Sequence, residues 1–126
     1  MVYTISEKEI GLLFSELVYD KERSGVIGCF CEEGFPLYCA NKKMVSMLGY
    51  ENVDDLMDGI SGKVFNAVHP DDRRQVMKDI GSNIGAGDFF QSVYRIRKKD
   101  GTWFWTIDKG KVIKIADWSF SVYALT

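Results

Sequence analysis

The sequence has little of what marks membrane, secreted or nucleic-acid-binding proteins. No apolar run approaches the roughly 18 residues of a membrane span, and the N-terminus, MVYTISEKEIG, has neither the basic nor the apolar region of a signal peptide. Charge is nearly balanced, with 16 Lys and Arg against 18 Asp and Glu, whereas a surface for nucleic acid or anionic membrane usually needs a basic excess. We therefore expect a soluble, cytoplasmic domain that contacts neither nucleic acid nor membrane.

Cysteine and histidine are also scarce, with three cysteines and one histidine in 126 residues. Cys29 and Cys31 are two residues apart, so on a strand they would share a face and could chelate a metal. The favoured interpretation is that they are small apolar residues in a reducing compartment. His69 has no cysteine or carboxylate at helical ligand spacing that would complete a tetrahedral site. We expect no metal site.

The motifs of common enzyme classes are missing as well. The sequence has no G-x-S-x-G elbow, no P-loop and no G-x-G-x-x-G after a strand. Two adjacent carboxylate pairs, at 54–55 and 71–72, could suggest acid–base catalysis, but neighbouring residues on a helix do not face each other. Each pair is better explained by the positive end of a helix dipole. We expect that this domain alone is not an enzyme.

What the sequence does contain is a clear series of strand and helix patterns. Ser6 and Glu9 form a capping box at the start of a predicted amphipathic helix. The apolar residues of this helix recur at helical spacing, and they include Ile10, Leu13, Phe14 and Leu17. Strands are predicted at 26–31, 36–40, 89–97, 102–115 and 118–124, the last with period-two alternation.

Short helices are predicted between the two groups of strands. Asn41 and Asn52 are good N-caps for two of them. His69 is read as a structural cap for a longer helix, whose inward stripe is Val76, Ile80 and Ile84. The order of elements predicts an α+β fold, with an antiparallel five-stranded sheet and short helices on one face.

Four motifs in this order resemble those of a PAS domain, of the branch common in bacterial signalling proteins. They are Tyr38-x-x-Asn41, the helix end L-G-Y at 48–50, H-P-D-D-R at 69–73, and the run from Tyr94 to Trp105 that contains R-K-K-D-G. The resemblance covers roughly residues 24–126. Residues 1–23 then form a separate N-terminal helix that caps the domain or takes part in dimerisation.

The resemblance implies a sensing and dimerisation module within a longer chain. Such domains precede histidine kinase, diguanylate cyclase or phosphodiesterase output domains, so a two-component or cyclic-di-GMP pathway is expected. A ligand would act by shifting the population of packing states of the sheet. Two alternatives stay open: a ligand-independent dimerisation module, and a small-molecule enzyme, which would need a convergent acid–base pair.

The resemblance also bears on cofactors. Light-sensing flavin members carry a reactive cysteine in an N-C-R-F-L-Q motif, and the corresponding stretch at 62–67, GKVFNA, has no cysteine. Haem-binding members need a histidine in the long helix or the following loop, and residues 74–88 contain none. Flavin and haem are therefore both disfavoured, whereas a small organic ligand in an apolar pocket is allowed. The pocket is predicted to be lined by Phe30, Met44, Leu48, Phe65, Tyr94 and Phe104.

The hairpin at 98–101 allows two registers. A two-residue Asp-Gly loop would pair Ile96 with Trp105, whereas a turn in which Gly101 forms a bulge would pair Ile96 with Phe104. We prefer the bulged turn, because it is the commoner three-residue hairpin and fits the family. In the bulged register, the residues that face the helices are Tyr94, Ile96, Phe104 and Thr106. The residues on the opposite face are Val93, Trp103, Trp105 and Ile107.

A sheet face with two tryptophans is too apolar to remain in water, and a patch of this kind marks an interaction site. The N-terminal helix has a matching apolar stripe. We predict that this helix covers the face, either within one chain or from the second subunit of a homodimer. The predicted contact surface consists of Ile10, Leu13, Phe14, Leu17, Trp103 and Trp105.

Overall fold

A mixed six-stranded sheet forms the centre of the protein. The computed structural model describes residues 2–4, 6, 8, 25–81, 89–115 and 118–125. The strands are β1 (Tyr3–Thr4), β2 (Gly25–Phe30), β3 (Leu37–Ala40), β4 (Phe89–Arg97), β5 (Trp103–Ile115) and β6 (Trp118–Leu125). Their order across the sheet is β1-β3-β2-β6-β5-β4.

The α+β prediction is confirmed, with one addition to the expected five strands. Strands β2 to β6 pair only antiparallel with one another, whereas β1 is a two-residue strand that pairs parallel to β3. Two residues leave no room for a period-two pattern, so the sequence carried no signal for β1. The predicted N-terminal helix and the boundary between residues 23 and 24 lie outside the described residues.

Three α-helices lie between the strands in the described part of the chain. They are α1 (Lys42–Met47), α2 (Val53–Gly59) and α3 (Arg73–Gly81), with 3₁₀ turns at Val64–Ala67 and Pro70–Asp72. The side-chain oxygens of Asn41 and Asn52 accept bonds from the N–H groups of Met44 and Asp55, both at 2.8 Å. These bonds satisfy donors that a helix N-terminus leaves free. No described helix has the length and apolarity needed to cross a membrane.

His69 acts as the structural cap that the sequence predicts. Its Nδ1 accepts a bond from the N–H of Asp71 at 3.1 Å, and Pro70 follows at the first position of the turn. The turn is 3₁₀, and the α-helix proper begins at Arg73, later than expected. Val76 and Ile80 are buried as predicted. Ile84 lies outside the described residues.

The hairpin between β4 and β5 has the bulged register. Ile96 pairs with Phe104, the N–H of Gly101 bonds the carbonyl of Lys98 at 2.9 Å, and Gly101 has φ +89°. That backbone angle is strained for any residue with a Cβ, which explains glycine at this point. Tyr94, Ile96 and Thr106 are consequently buried. We call the face that carries them the inner face and the opposite one the outer face.

The core lies between the inner face and the helices. Buried helix residues such as Met44, Leu56 and Ile80 belong to the same apolar cluster as Ile27 and Ile96 on the strands. The cluster is continuous, so the helices and the sheet are held together mainly by apolar burial.

An ion pair joins the turn before α3 to the free edge of β4. Asp72 accepts bonds from the backbone N–H, Nε and Nη2 of Arg95 at 2.8, 2.9 and 2.8 Å. The side-chain bond from Arg95 is the largest of the effects that lower the pKa of Asp72. Next to this pair, the N–H of His69 bonds the carbonyl of Arg95 at 2.9 Å, and Val68 forms an isolated bridge with Ile96.

We expect Asp72→Asn to lower the melting temperature by about 3–8 °C at neutral pH. Because the folded-state pKa of Asp72 is lowered, its contribution is present above the unfolded-state pKa and lost as the pH falls through the folded-state value. The melting temperatures of the wild type and the variant should therefore converge as the pH falls below the usual range of an aspartate pKa. Asp71→Asn, next in the chain and 79% exposed, is the control. A difference that persists at low pH would contradict this account.

Two helix-terminal glycines provide a matched test of packing. A Cβ on Gly59 would come within 2.3 Å of the ring of Tyr50, whereas a Cβ on Gly81 would meet no atom within 4 Å. Gly59→Ala should lower the free energy of unfolding by about 1–3 kcal/mol, because the buried ring must move. Gly81→Ala should leave it unchanged or raise it by up to about 1 kcal/mol. Urea titrations measure both, and equal effects would refute the predicted clash.

Candidate functional site

Four polar side chains form a block on the inner face, in the middle of an otherwise apolar core. They are Ser92 and Tyr94 on β4 and Thr106 and Asp108 on β5, and none is more than 2% exposed. Ser92 pairs directly with Asp108 across the two strands, and Tyr94 pairs with Thr106. We call these four residues the inner polar cluster. Buried polar groups are costly unless they are hydrogen-bonded, so each of them needs an explanation.

Asp108 is the member of the cluster whose hydrogen bonding is incomplete. Its Oδ2 accepts a bond from the hydroxyl of Tyr94 at 2.8 Å, while its Oδ1 has no partner among the residues that the structure describes. Burial raises the pKa of Asp108 well above its usual range, and the bond from Tyr94 opposes that shift only in part. Burial likewise raises the pKa of Tyr94, and the adjacent Asp108 adds to it. Burial therefore favours the uncharged form of each group.

Helix α3 provides the partner for another member of the cluster. The hydroxyl of Ser92 donates to Oδ2 of Asp79 at 2.8 Å, and Oδ1 of Asp79 accepts from Gln75 at 2.7 Å. The cluster is thus connected on one side to a helix that packs on β4. A change at the cluster can reach α3 through this chain of hydrogen bonds.

Asp108 is not among the site residues predicted from the sequence, although the sequence contains a signal for it. Once Phe104 and Thr106 are assigned to the inner face, period-two alternation puts Asp108 there too. A carboxylate at an inward strand position departs from the pattern expected of a core, and such departures concentrate at functional sites.

The structure brings together most of the predicted pocket residues. Met44, Leu48 and Tyr94 are buried in the core cluster, and Phe65 and Phe104 pack against it half-buried. Phe30 follows the core residue Cys29 on β2, so alternation directs its ring to the opposite side. There it packs edge-on against Tyr38, with the ring centroids 5.1 Å apart.

An open surface groove of about 490 Å³ lies apart from the inner polar cluster. Its lining includes Tyr50, Asp58 and Arg97. At one side Lys99 bonds Asp55 at 2.8 Å. Among the described residues, no group of three or more His, Cys, Asp or Glu side chains is arranged to hold a metal.

The outer face of β4 and β5 is apolar and open to solvent. Val93, Trp103, Trp105 and Ile107 are 50, 38, 61 and 41% exposed. Their placement is the one that the bulged register predicts. The guanidinium of Arg95 lies 4.9 Å from the ring centroid of Trp105, as in a cation–π contact. The predicted partners of this face, Ile10, Leu13, Phe14 and Leu17, lie outside the described residues.

Comparison with known proteins agrees with this architecture. A family profile described as PAS fold matches residues 37–123. The photo-excited form of the blue-light photoreceptor Vivid is 15% identical with a TM-score of 0.64, and the match covers 100% of this chain and 99% of that one. A fungal LOV domain photoreceptor is 16% identical with a TM-score of 0.67, over 97% and 91% of the two chains.

A third solved structure comes from a bacterial signalling protein. The sensory box histidine kinase/response regulator from Burkholderia thailandensis is 19% identical with a TM-score of 0.60, and the match covers 82% of this chain and 76% of that one. At such identities the likeness shows the fold alone. No curated protein matches the chain.

The expectation that flavin is disfavoured is wrong, because blue-light and LOV photoreceptors, the flavin-type members of the family, are among the structures most like this chain. The expectation rested on the missing cysteine in 62–67. A thiol is needed to form a covalent bond with a flavin, but not to bind one, since binding depends on the shape and polarity of the pocket. A Vivid variant in which a cysteine is replaced by serine has the same overall fold, with a TM-score of 0.59 to this chain.

Sequence motifs, fold and family profile agree on the family to which this chain belongs. The motifs from Tyr38 to Trp105 lie on the elements expected of them, the sheet has the α+β arrangement that they predict, and the family profile spans well over half of the 126 residues. The chain belongs to the PAS fold family.

Proposed function

We propose that this PAS domain is a sensor that binds a small organic ligand against the inner polar cluster. The observation that carries the proposal is the buried Oδ1 of Asp108, for which the described part of the chain offers no hydrogen-bond partner. An unsatisfied buried acceptor or donor costs about 1–3 kcal/mol. A ligand that completes its hydrogen bonding would recover that free energy on binding. The domain acts by binding and not by catalysis.

Binding at the cluster has a direct route to the rest of the sheet. Asp108 lies in β5, which pairs with β4 on one side and with β6 on the other. Asp108 itself pairs with Leu125, at the end of β6. A ligand that favours one packing of β5 would therefore bias the end of β6, where an output domain would be connected.

The output domain is proposed to be a histidine kinase, diguanylate cyclase or phosphodiesterase of a bacterial cytoplasmic signalling protein. The fold likeness to the sensory box histidine kinase from Burkholderia thailandensis supports the first of these. A two-component or cyclic-di-GMP pathway would follow from the output domain. Ligand binding at the inner polar cluster does not depend on which output domain is present.

A second role, dimerisation, is favoured by the outer face. Val93, Trp103, Trp105 and Ile107 form an exposed apolar surface of the kind that marks interaction sites. We propose that residues 1–23 cover it, either within the chain or across a two-fold homodimer. One of the structures similar in fold is the light-state dimer of the photoreceptor Vivid.

The ligand proposal predicts what the purified protein carries. Native mass spectrometry of the wild type should show a bound small molecule that Tyr94→Phe/Asp108→Val lacks, because the double variant removes both polar groups. Valine is chosen at position 108 because β-branched apolar residues suit a buried strand. The same variant should melt at an equal or higher temperature when ligand is absent. Tyr38→Phe, outside the cluster, is the control and should retain the molecule.

Two results would count against the ligand proposal. One is a wild type that carries no small molecule under any growth condition and takes up none from a metabolite extract. The other is equal retention by the wild type and the double variant, which would place the ligand away from the cluster.

The dimerisation proposal predicts a change of mass in light scattering. Trp105→Glu should raise the dissociation constant of a dimer at least about tenfold, since a charge would be buried at an aromatic contact. Met77→Glu is the matched control, because Met77 is 50% exposed on α3, away from the sheet. If residues 1–23 cover the face within one chain, deleting residues 1–20 should increase tryptophan quenching by acrylamide. Unchanged mass and unchanged quenching together would refute both arrangements.

A further inference from the structure

The chemistry of the unpartnered oxygen indicates what kind of ligand the inner polar cluster selects. We infer that it recognises an uncharged ligand through a hydrogen-bond acceptor, a carbonyl oxygen or an unprotonated ring nitrogen, placed at Oδ1 of Asp108. This inference rests on the proposed function, because it names the ligand class for the same site. It makes Asp108 the residue that determines specificity.

The hydrogen bond between Tyr94 and Asp108 locates the acid proton of Asp108. The hydroxyl of Tyr94 donates its own proton to Oδ2 at 2.8 Å. A carboxylic acid carries one proton, and Oδ2 already accepts one hydrogen bond. The proton of a neutral Asp108 is therefore placed on Oδ1, which makes this atom a donor with no acceptor among the described residues. An acceptor on the ligand completes the pair.

In the described part of the chain, no cation favours a charged carboxylate at Asp108. Burial and the bond from Tyr94 are the influences on the pKa of Asp108, and no cation among the described residues contributes. Among the charged residues of the same strands, Arg95, Arg97 and Lys109 alternate with the inner positions and so belong to the outer face. The carboxyl that faces the cluster from α3, Asp79, is bonded to Ser92 and would repel an anion.

A cationic amine is the alternative ligand, because it could ionise Asp108 and pair with it. That route requires two charges to leave water for the core, and the loss of hydration can exceed the gain from pairing. An uncharged acceptor meets no such cost. The neighbours of the cluster along β4 are Phe90 and Ile96, both buried, so the body of the ligand should be apolar.

Three small probes of similar size separate these possibilities. Isoquinoline has a ring nitrogen that only accepts, indole has an N–H that only donates, and benzylamine is a cation at neutral pH. Titrations followed by the amide resonances of β4 and β5 give the dissociation constants. We expect isoquinoline to bind the wild type about three to ten times more tightly than indole, the size of one net hydrogen bond.

Variants of Asp108 provide the matched controls. Asp108→Asn keeps an N–H donor at the same position and should retain the preference for isoquinoline. Tyr94→Phe/Asp108→Val has no donor and should bind the two heterocycles equally. In parallel, the side-chain ¹³Cγ resonance of Asp108 at neutral pH should lie at the position of a protonated carboxyl and not at that of a carboxylate.

Each other outcome overturns the inference in a recognisable way. Equal or tighter binding of indole, or a preference that survives in the double variant, means that Asp108 does not select an acceptor. Tightest binding of benzylamine means that the acid is ionised by its ligand. In these cases the proposed ligand-binding site is retained, and only the inferred chemical class of the ligand is wrong. If no probe perturbs the inner-face amides, ligand binding at the cluster fails together with the inference.

Discussion

The register of the β4–β5 hairpin is the constraint on which the functional surfaces of this domain depend. One extra residue in the turn, Gly101 at positive φ, sets which side chains of two long strands face the helices. A slip by one residue would put Trp103 and Trp105 on the same face as Tyr94 and move Asp108 to the opposite face. The inner polar cluster and the apolar outer face are thus two results of the same turn geometry.

Much of this arrangement could be predicted from sequence because it is local. Asn41 and Asn52 cap helices through their own side chains, and Asp-Gly at the turn limits the hairpin to two registers. The Trp-x-Trp alternation then assigns the faces. Strand β1 could not be found in the same way, because its pairing with β3 depends on tertiary contact and not on a pattern within two residues.

The candidate site was harder to predict than the fold, for physical reasons. Apolar pocket residues and apolar core residues have the same sequence pattern, so Phe30 could be placed with Tyr94 although alternation directs it to the other side of the sheet. Asp108 is distinguished only by the conflict between its charge and its inward position. The cofactor expectation failed because it relied on one reactive side chain, whereas non-covalent binding depends on the whole cavity.

The burial of Asp108 also implies a compromise between stability and function. A core that served only to hold the sheet and the helices together would be better filled by an apolar residue at this position. The bond from Tyr94 reduces the cost without removing it. The remaining unsatisfied oxygen is the kind of feature that persists where a protein must recognise something other than itself.

The segment from Val68 to Asp72 has a consequence for how copies of the domain can meet. Strand β4 ends the sheet on one side, and exposed strand edges invite another chain to add its own strand. Here the backbone N–H of Arg95 donates to the carboxylate of Asp72, and the carbonyl of Arg95 accepts a bond from the N–H of His69. Neither backbone group of Arg95 is therefore available to a strand of another chain. At the opposite side, β1 is only two residues long. Growth of the sheet from molecule to molecule is therefore discouraged at both ends, which leaves face-to-face association as the route to a closed pair instead of an open fibre.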